Sequence, residues 1–329
     1  MKRNVLLGKV FRRPVFLAAL LILVAAGWIA ASAGAGGGTP RVPVLVYHDF
    51  WENDSDDSNR FTSGARFAAE MEYLHANGYH VIPLRKLINH MQYGEELPEK
   101  PVVITFDDGY RGNYTIAYPI LKKYGMPATI FVIAGFDWYP VHEKDHPRLS
   151  WEEMREMEES GLIDIQAHTY DLHYRAVAGR RGTSRKPAVI ARIYLPGEDR
   201  LETREEYEER LYNDFLKARA AIRANLNKET DIMAWPFGAY NETALALARK
   251  AGFKYFVTMQ VGLNRRGDSV EAIKRISEKQ NIPLDEFAKL VDPDHFYLKH
   301  FIQVVDSYKD HLENILSLSN RAYLQEVAA

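Results

Sequence analysis

Two neighbouring acids, Asp107 and Asp108, follow the apolar run "VVITF" at residues 102–106. Such a run is typical of a buried strand, in which successive side chains point to opposite faces. Like charges side by side repel each other, and the sequence "DDG" on its own is most often a turn. The pair indicates a reactive site only if other functional groups gather at the same place.

Two histidines farther along the chain supply such groups. His168 ends the apolar run 162–168, and His173 follows five residues later in "HTYDLH". With Asp108 they would offer one carboxylate and two imidazoles, a ligand set that leaves positions on a divalent ion open for water and substrate. An ion with one anionic ligand keeps positive charge and can lower the pKa of bound water to about 7. Asp107 is then predicted to be the general base, which explains why the two acids are adjacent.

A proton donor is predicted on another strand. His48 ends the apolar run 42–48, and histidine is the usual general acid for a poor amine leaving group. In "WPFG", at 235–238, a backbone N–H near Phe237 could hold an oxyanion together with the ion. Each motif alone has an ordinary structural explanation, such as a buried histidine or simple packing. Their joint occurrence, each at the end of a predicted strand, favours catalysis.

The elements that would position these residues alternate along the chain. Eight apolar runs are predicted strands: 42–48, 80–84, 101–106, 128–133, 162–168, 231–237, 254–259 and 272–277. Several intervening helical stretches end at a glycine, as in "LKKYGMPATIF", because glycine takes the left-handed conformation at a helix end cheaply. Ser150 with Glu153 and Thr203 with Glu206 fit capping boxes. The pattern predicts the α/β class and a (β/α)7-8 barrel, in which reactive residues lie at the carboxyl ends of the strands.

The N-terminus has the features of a targeting segment. Five basic residues in the first thirteen positions precede an uncharged stretch, 15–33. That stretch is just long enough to cross the hydrocarbon core, and the basic flank favours a cytoplasmic N-terminus. "ASA" at 31–33 also resembles a signal cleavage site. We predict a single-pass protein of the cell membrane with its catalytic domain outside the cytoplasm, or a secreted or periplasmic protein if the segment is cleaved.

The rest of the chain divides around one catalytic domain. The predicted parts are a basic cytoplasmic N-terminus (1–13), a transmembrane or signal segment (14–34), a linker (35–40), the catalytic domain (41–292) and a helical C-terminal extension (293–329). Inside the domain, the basic segment 174–202 interrupts the alternation. It is predicted to be a solvated surface loop or, alternatively, a rim that contacts a polymer.

Composition restricts the partners and cofactors. The 329 residues include no cysteine and carry a formal net charge of -2. Without cysteine there are no disulfides, thiol nucleophiles or thiolate sites, so histidine, aspartate or glutamate must hold any metal. The near-neutral charge gives no reason to expect nucleic acid as a partner.

Together these segments resemble the polysaccharide deacetylase family, carbohydrate esterase family four, over about 41–292. "TFDDGY", "HTYDLH" and "WPFGAYN" resemble its first, second and third motifs. The resemblance implies a distorted (β/α) barrel with Asp107 as base. It also implies that Asp108, His168 and His173 hold one divalent ion. Zinc is the first expectation for that ion, with cobalt, nickel or iron as alternatives.

Three departures from the common family pattern point to one branch. The histidines of the second motif are five apart rather than four, Trp235 stands where an arginine usually pairs with the base, and no late motif supplies the acid. These features resemble the poly-β-1,6-N-acetylglucosamine deacetylases of biofilm exopolysaccharide, in which the acid lies on the first strand, here His48. Arg275 is the predicted replacement for the base-tuning arginine. Residues predicted to contact sugar or oxyanion, or else to pack, are Tyr110, Trp235, Pro236, Phe237 and Tyr240.

The combined prediction is a metal-dependent hydrolase that removes N-acetyl groups from an N-acetylglucosamine polymer, with poly-β-1,6-N-acetylglucosamine as the first candidate. Peptidoglycan or chitooligosaccharide deacetylation is the enzyme alternative. A non-catalytic, membrane-tethered polysaccharide-binding module is the alternative of a different class. Nothing in the sequence predicts a protein partner.

Overall fold

The computed structural model describes residues 40–51, 61–135, 147–179, 184–277 and 282–296. The predicted N-terminus and transmembrane or signal segment, and the C-terminal extension beyond residue 296, lie outside these residues. Within the described part of the chain, no helix is long and apolar enough to cross a membrane.

Short strands and longer helices alternate along the described residues. The strands are β1 Val44–Tyr47, β2 Phe50–Trp51, β3 Thr62–Ser63, β4 His80–Val81, β5 Pro101–Phe106, β6 Ala128–Val132, β7 Ile163–Ala167, β8 Arg175–Val177, β9 Arg185–Pro187, β10 Tyr194–Leu195, β11 Arg200–Leu201, β12 Ile232–Ala234, β13 Tyr255–Val261 and β14 Ile273–Ser277. The α-helices are α1 Gly64–Ala76, α2 Leu84–Tyr93, α3 Tyr118–Tyr124, α4 Trp151–Glu159, α5 Arg204–Leu226, α6 Glu242–Lys250 and α7 Leu284–Val291.

Seven strands close into a parallel barrel. Their order is β1-β14-β13-β12-β7-β6-β5, and the pairing of β1 with β5 completes the ring. The two-residue strand β4 pairs only with the first residues of β5, so it is attached to the ring without belonging to it. The barrel prediction is therefore confirmed, with seven closing strands.

The helix ends follow the predicted signals. The Ser150 hydroxyl accepts a hydrogen bond from the Glu153 N–H at 3.2 Å, and the Glu153 carboxylate accepts one from the Ser150 N–H at 2.9 Å. Thr203 and Glu206 form the same reciprocal pair at the start of α5. Each box supplies two of the amide partners that a helix start lacks, so the sequence fixes where α4 and α5 begin.

The two ends of the barrel differ in chemistry. Leu87, Ile88 and Met91 of α2 pack with Val44 and Val103, near the starts of β1 and β5, in an apolar cluster. That cluster closes the amino-terminal end of the barrel. Asp107, Asp108 and His168 follow the last residues of β5 and β7, at the opposite end of the barrel.

The basic segment 174–202 has more structure than a surface loop. It contains the hairpins β8–β9 and β10–β11 and a short 3₁₀ helix at Ala188–Ile190. The helix packs into the protein because Ala188 and Val189 are buried, whereas Arg175, Arg185 and Lys186 of the first hairpin are exposed.

Candidate active site

A turn follows β5, so side chains no longer alternate between two faces as they do in a strand. This turn brings both Asp107 and Asp108 to the barrel opening. Asp108 and Gly109 have φ values of 72° and 69°. Aspartate tolerates this left-handed region better than most residues. At Gly109 a Cβ would approach the Cγ1 of Val132 to 2.9 Å, so only glycine fits. Both carboxylates consequently lie near His168, which influences the pKa of each.

Asp107 forms an ion pair with Arg275. Arg275 reaches its two carboxylate oxygens with two guanidinium nitrogens, each at 2.7 Å. The Nε of Arg275 donates to the carbonyl of Thr258, which fixes the plane of the fork. Both side chains are buried. Burial alone would raise the pKa of Asp107, but the charge and hydrogen bonds of Arg275, with His168, outweigh it and hold that pKa below its usual range. The carboxylate is therefore ionised and oriented.

Asp108 is arranged differently. Its Oδ1 lies 3.4 Å from Nε2 of His168 and 3.3 Å from Nε2 of His173. This buried oxygen accepts no hydrogen bond from the described residues. Buried polar atoms are rarely left in that state, so the arrangement indicates a ligand that the three side chains share.

The geometry of the three residues fits a divalent metal ion. Their ligand atoms lie within 4.8 Å of one another. Ions bound tetrahedrally by nitrogen and oxygen at about 2.0–2.1 Å have ligands about 3.3–3.4 Å apart, which matches both distances from the Asp108 oxygen. Two imidazoles and one carboxylate also suit zinc and other transition ions chemically. Asp108, His168 and His173 thus form a possible metal site.

The two histidines are prepared for this role by their surroundings. The Nδ1 of His168 lies 2.8 Å from the carbonyl of Ala234, which can only accept, so that nitrogen carries the proton and Nε2 keeps its lone pair. Burial lowers the pKa of His173 to about 4, against the charge of Asp108, so its ring is neutral at neutral pH. For His168, Asp107 and Asp108 outweigh burial and raise the pKa. A cation would compete with that additional proton for Nε2.

The loop that carries the histidines is tied to α5. Asp214 accepts hydrogen bonds from the backbone N–H of Tyr170 at 2.9 Å and of Asp171 at 2.7 Å. Thr169 has φ 70°, and its hydroxyl accepts from the N–H of Leu172 at 3.3 Å. This loop conformation accommodates the spacing of five between the ligands, which no helix would allow on one face.

His48 is placed beside the acid pair by strand register. In the β1–β5 pairing Tyr47 lies opposite Phe106, and the N–H of Asp107 donates to the carbonyl of Tyr47 at 2.9 Å. His48 is the next residue, and its charged form lowers the pKa of Asp107 and Asp108. The Nδ2 of Asn113 donates to the His48 carbonyl at 2.7 Å and fixes this end of β1.

The residues predicted to contact sugar have separate environments. Trp235 is completely buried between Phe256 and Tyr240, so it packs and offers no face to a sugar. Pro236 is also buried, and Tyr110 is buried under the guanidinium of Arg148. Phe237 and Tyr240 are 41% and 39% exposed, which leaves them available for substrate.

The backbone of Phe237 is strained. Its φ is 57°, and its ring stacks on His173 with centroids 4.4 Å apart. The guanidinium of Arg175 lies 5.2 Å from the centroid of the Phe237 ring. Like Asp108 and Thr169, Phe237 is a non-glycine residue with positive φ, a conformation that costs about 1–3 kcal/mol. The segments that contain Asp108, Thr169 and Phe237 therefore all carry local backbone strain, which the surrounding fold maintains.

Two positioning residues had no signal in the sequence. Arg148 donates to the carbonyl of Asp108 at 3.0 Å and covers the ring of Tyr110, and Asp214 holds the histidine loop. Neither belongs to a motif, and each lies 40 or more residues from the backbone it contacts. By contrast, the pairing of Arg275 with Asp107 agrees with the sequence prediction.

Comparisons with known proteins agree with this geometry. A family model for polysaccharide deacetylases matches residues 94–256. The poly-beta-1,6-N-acetyl-D-glucosamine N-deacetylase of Escherichia coli (strain K12) is 30% identical over 254 residues, covering 73% of this chain and 38% of that protein. The chain thus spans well under half of the length of that relative.

Solved structures show the same fold. A de-N-acetylase from Aggregatibacter actinomycetemcomitans superposes with a TM-score of 0.65 at 30% identity, covering 75% of this chain and all of that one. IcaB from Ammonifex degensii superposes with a TM-score of 0.63 at 28% identity, covering 78% and 98%. With its barrel, its possible metal site and these similarities, the chain belongs to the polysaccharide deacetylase family.

Proposed function

We propose that the protein is a metal-dependent N-deacetylase that acts on N-acetylglucosamine polymers, with poly-β-1,6-N-acetylglucosamine as the first candidate substrate. One observation carries the proposal. A buried carboxylate with no hydrogen-bond donor to its Oδ1 among the described residues faces two imidazoles, directly beside a second carboxylate that is ionised and oriented. Relatives that are poly-beta-1,6-N-acetyl-D-glucosamine N-deacetylases support the choice of polymer.

Each side chain has a distinct task in this proposal. The ion held by Asp108, His168 and His173 would polarise the acetamide carbonyl and activate water. Asp107 takes the proton from the attacking water, and Arg275 keeps it ionised between turnovers. His48, at the level of Asp107 on the neighbouring strand, delivers a proton to the departing sugar amine.

Zinc is the proposed ion. A set of two histidines and one carboxylate with tetrahedral spacing is typical of catalytic zinc sites. Cobalt, nickel and iron accept the same ligands, so metal analysis of the purified protein and reconstitution with each ion distinguish them.

The location of the enzyme is a separate proposal that depends on the sequence. The basic residues before the uncharged stretch 15–33 support a membrane anchor with the barrel outside the cytoplasm. Membrane fractionation of the full chain, with N-terminal sequencing, tests it. A soluble mature protein that begins near Gly34 would establish cleavage instead of anchoring.

Acetate release by the purified full-length chain tests the function. Poly-β-1,6-N-acetylglucosamine, peptidoglycan and chitooligosaccharides are compared with metal supplied and after chelation. We expect release from poly-β-1,6-N-acetylglucosamine that chelation abolishes and metal restores. Faster release from peptidoglycan or chitooligosaccharides would change the substrate, and binding to a polymer without release from any of them would favour the non-catalytic module.

A further inference from the structure

A cavity of about 350 Å³ lies beside the loop that carries His173. It is lined by residues 170–172 and 174 of that loop and by Arg210, Asn213, Asp214 and Lys217 of α5. Sites for small ligands typically measure roughly 300–1,000 Å³. One wall is thus the same stretch of chain that holds His173, but the cavity itself contains none of the proposed ligands or catalytic residues.

Two charged side chains of the cavity lining are held by hydrogen bonds. Asp214 is 7% exposed, and both of its oxygens accept backbone hydrogen bonds from the histidine loop. Arg210, on the same face of α5, is fixed by Glu202 through Nε at 2.7 Å and Nη2 at 2.9 Å. Lining groups that are already held in place lose little entropy when a ligand enters, which favours specific binding.

The remaining lining combines aromatic rings with available polar groups. Tyr174 is 38% exposed, and the ammonium of Lys217 lies 5.9 Å from the ring centroid of Tyr170. Asn213 is exposed, so its amide is accessible to a ligand. Aromatic faces bind the C–H faces of pyranose rings, while amide and ammonium groups bind hydroxyl and acetamide oxygens. Neutral sugars fit this lining better than a purely apolar ligand.

Chain connectivity places the cavity close to the possible metal site. Tyr174 is bonded to His173, and consecutive Cα atoms are about 3.8 Å apart. The next residue, Arg175, lies over Phe237, which stacks on His173 at the barrel opening. A polymer that leaves the opening across Arg175 would pass beside Tyr174, which lines the cavity.

We propose that this cavity is a second saccharide site, which holds an N-acetylhexosamine unit of the same polymer. That unit lies a few sugar units away from the one at the ligand triad, Asp108, His168 and His173. The inference rests on the proposed function for the identity of the sugar. A second attachment point raises the effective concentration of the remaining chain at the triad. Long substrates consequently gain from the cavity, whereas a disaccharide does not.

Chain-length dependence of acetate release tests this site. The value of kcat/KM is measured on β-1,6-linked N-acetylglucosamine oligomers of two to six units for the full-length protein and the variants Tyr174→Ala and Asn213→Ala. We expect Tyr174→Ala to lower kcat/KM on the longest oligomers by about 2- to 10-fold, the effect of one lost aromatic contact. The disaccharide should react at the wild-type rate. Glu209→Ala, an exposed position on the same helix outside the cavity, is the matched control and should change neither value.

Two kinetic results would overturn the proposal. One is that kcat/KM depends on oligomer length in both cavity variants as it does in the wild type. The other is an equal loss of kcat/KM for all lengths, which would place the effect at the three proposed metal ligands. A direct binding arm keeps the test independent of turnover: calorimetric titration of the hexamer into Asp107→Asn and into Asp107→Asn with Tyr174→Ala. If the wild type releases no acetate, the proposed function fails, yet weaker binding to the second protein would still support the cavity, and equal binding would refute it.

Discussion

Asp107 and Asp108 are adjacent in the chain, but the fold stabilises their charges in opposite ways. Asp107 lies in a fork of Arg275, so both of its oxygens are satisfied by the protein. Asp108 presents an oxygen that no described residue satisfies, at 3.3–3.4 Å from two imidazole nitrogens. The charge of Asp107 is balanced within the fold, whereas the arrangement around Asp108 fits a cation.

This difference separates two energetic roles. A buried ion pair recovers much of its desolvation cost within the protein, so its removal should be visible in stability. In the proposed function, metal binding stabilises the histidine side, and it adds to folding stability only when metal is present. Variants on the two sides should therefore respond differently to chelation.

The largest effect is expected for loss of a ligand on the Asp108 side. His168→Ala and His173→Ala each remove one of three ligands, so metal occupancy should fall from one ion per chain to near zero, together with acetate release. Elemental analysis and acetate assays check this. His75→Ala, an exposed histidine on α1, is the control and should keep its ion. Full occupancy in both site variants would refute the ligand assignment.

Next in size is the effect of Asp107→Asn. The amide keeps the shape but cannot take a proton, so turnover should fall by about 10²–10⁴-fold, the usual contribution of a general base. Metal occupancy should remain near one because Asp108 and the histidines are unchanged. A variant that turns over at close to the wild-type rate would assign the base elsewhere and remove the contrast between the two acids.

Arg275→Met tests the Asp107 side of the site, where the protein itself supplies the partner of the carboxylate. Removal of one partner leaves a buried carboxylate uncompensated, which should cost about 3–5 kcal/mol of unfolding free energy. In the wild type the pKa of Asp107 is lowered in the fold, so its contribution is present above the unfolded value of 3.8 and is lost as pH falls through the folded pKa. Without Arg275, burial raises that pKa, and stability should instead fall as pH rises above about 4.

Denaturant unfolding of wild type and Arg275→Met between pH 3 and pH 8 measures this difference. The gap should be widest at neutral pH and narrow towards acid, and the acidic limb of the kcat/KM profile should move to higher pH. Arg275→Lys keeps the charge but loses the fork, so it should recover part of the stability. A gap that does not change with pH would mean that Arg275 contributes by packing and not through Asp107.

The smallest effect is expected for His48→Asn. Loss of a general acid should lower turnover by about 10²-fold, the low end of the usual range, with metal and stability retained. Acetate release, metal content and thermal unfolding are measured together. Folded, metal-loaded and fully active protein would refute the acid role, whereas an unfolded variant would assign His48 a structural one.

Local signals in the sequence predicted much of the scaffold. Ser150, Thr203 and Gly125 mark helix ends through hydrogen bonds and backbone freedom that depend only on nearby residues. The apolar runs predicted the barrel strands because a strand that is buried on both faces must be apolar throughout. Trp235 was less predictable: its position after β12 suggested the opening, but packing with Phe256 places it in the core.

The sequence by itself determined which groups are available for chemistry: two adjacent acids, histidines at strand ends, and no thiol to replace them. Only the tertiary structure decided which partners each of them meets. The approach of Arg275 to Asp107, 168 residues apart, and of Asp214 to the histidine loop depends on barrel closure and helix docking. Such contacts arise from the summed packing of distant elements, so no single segment encodes them.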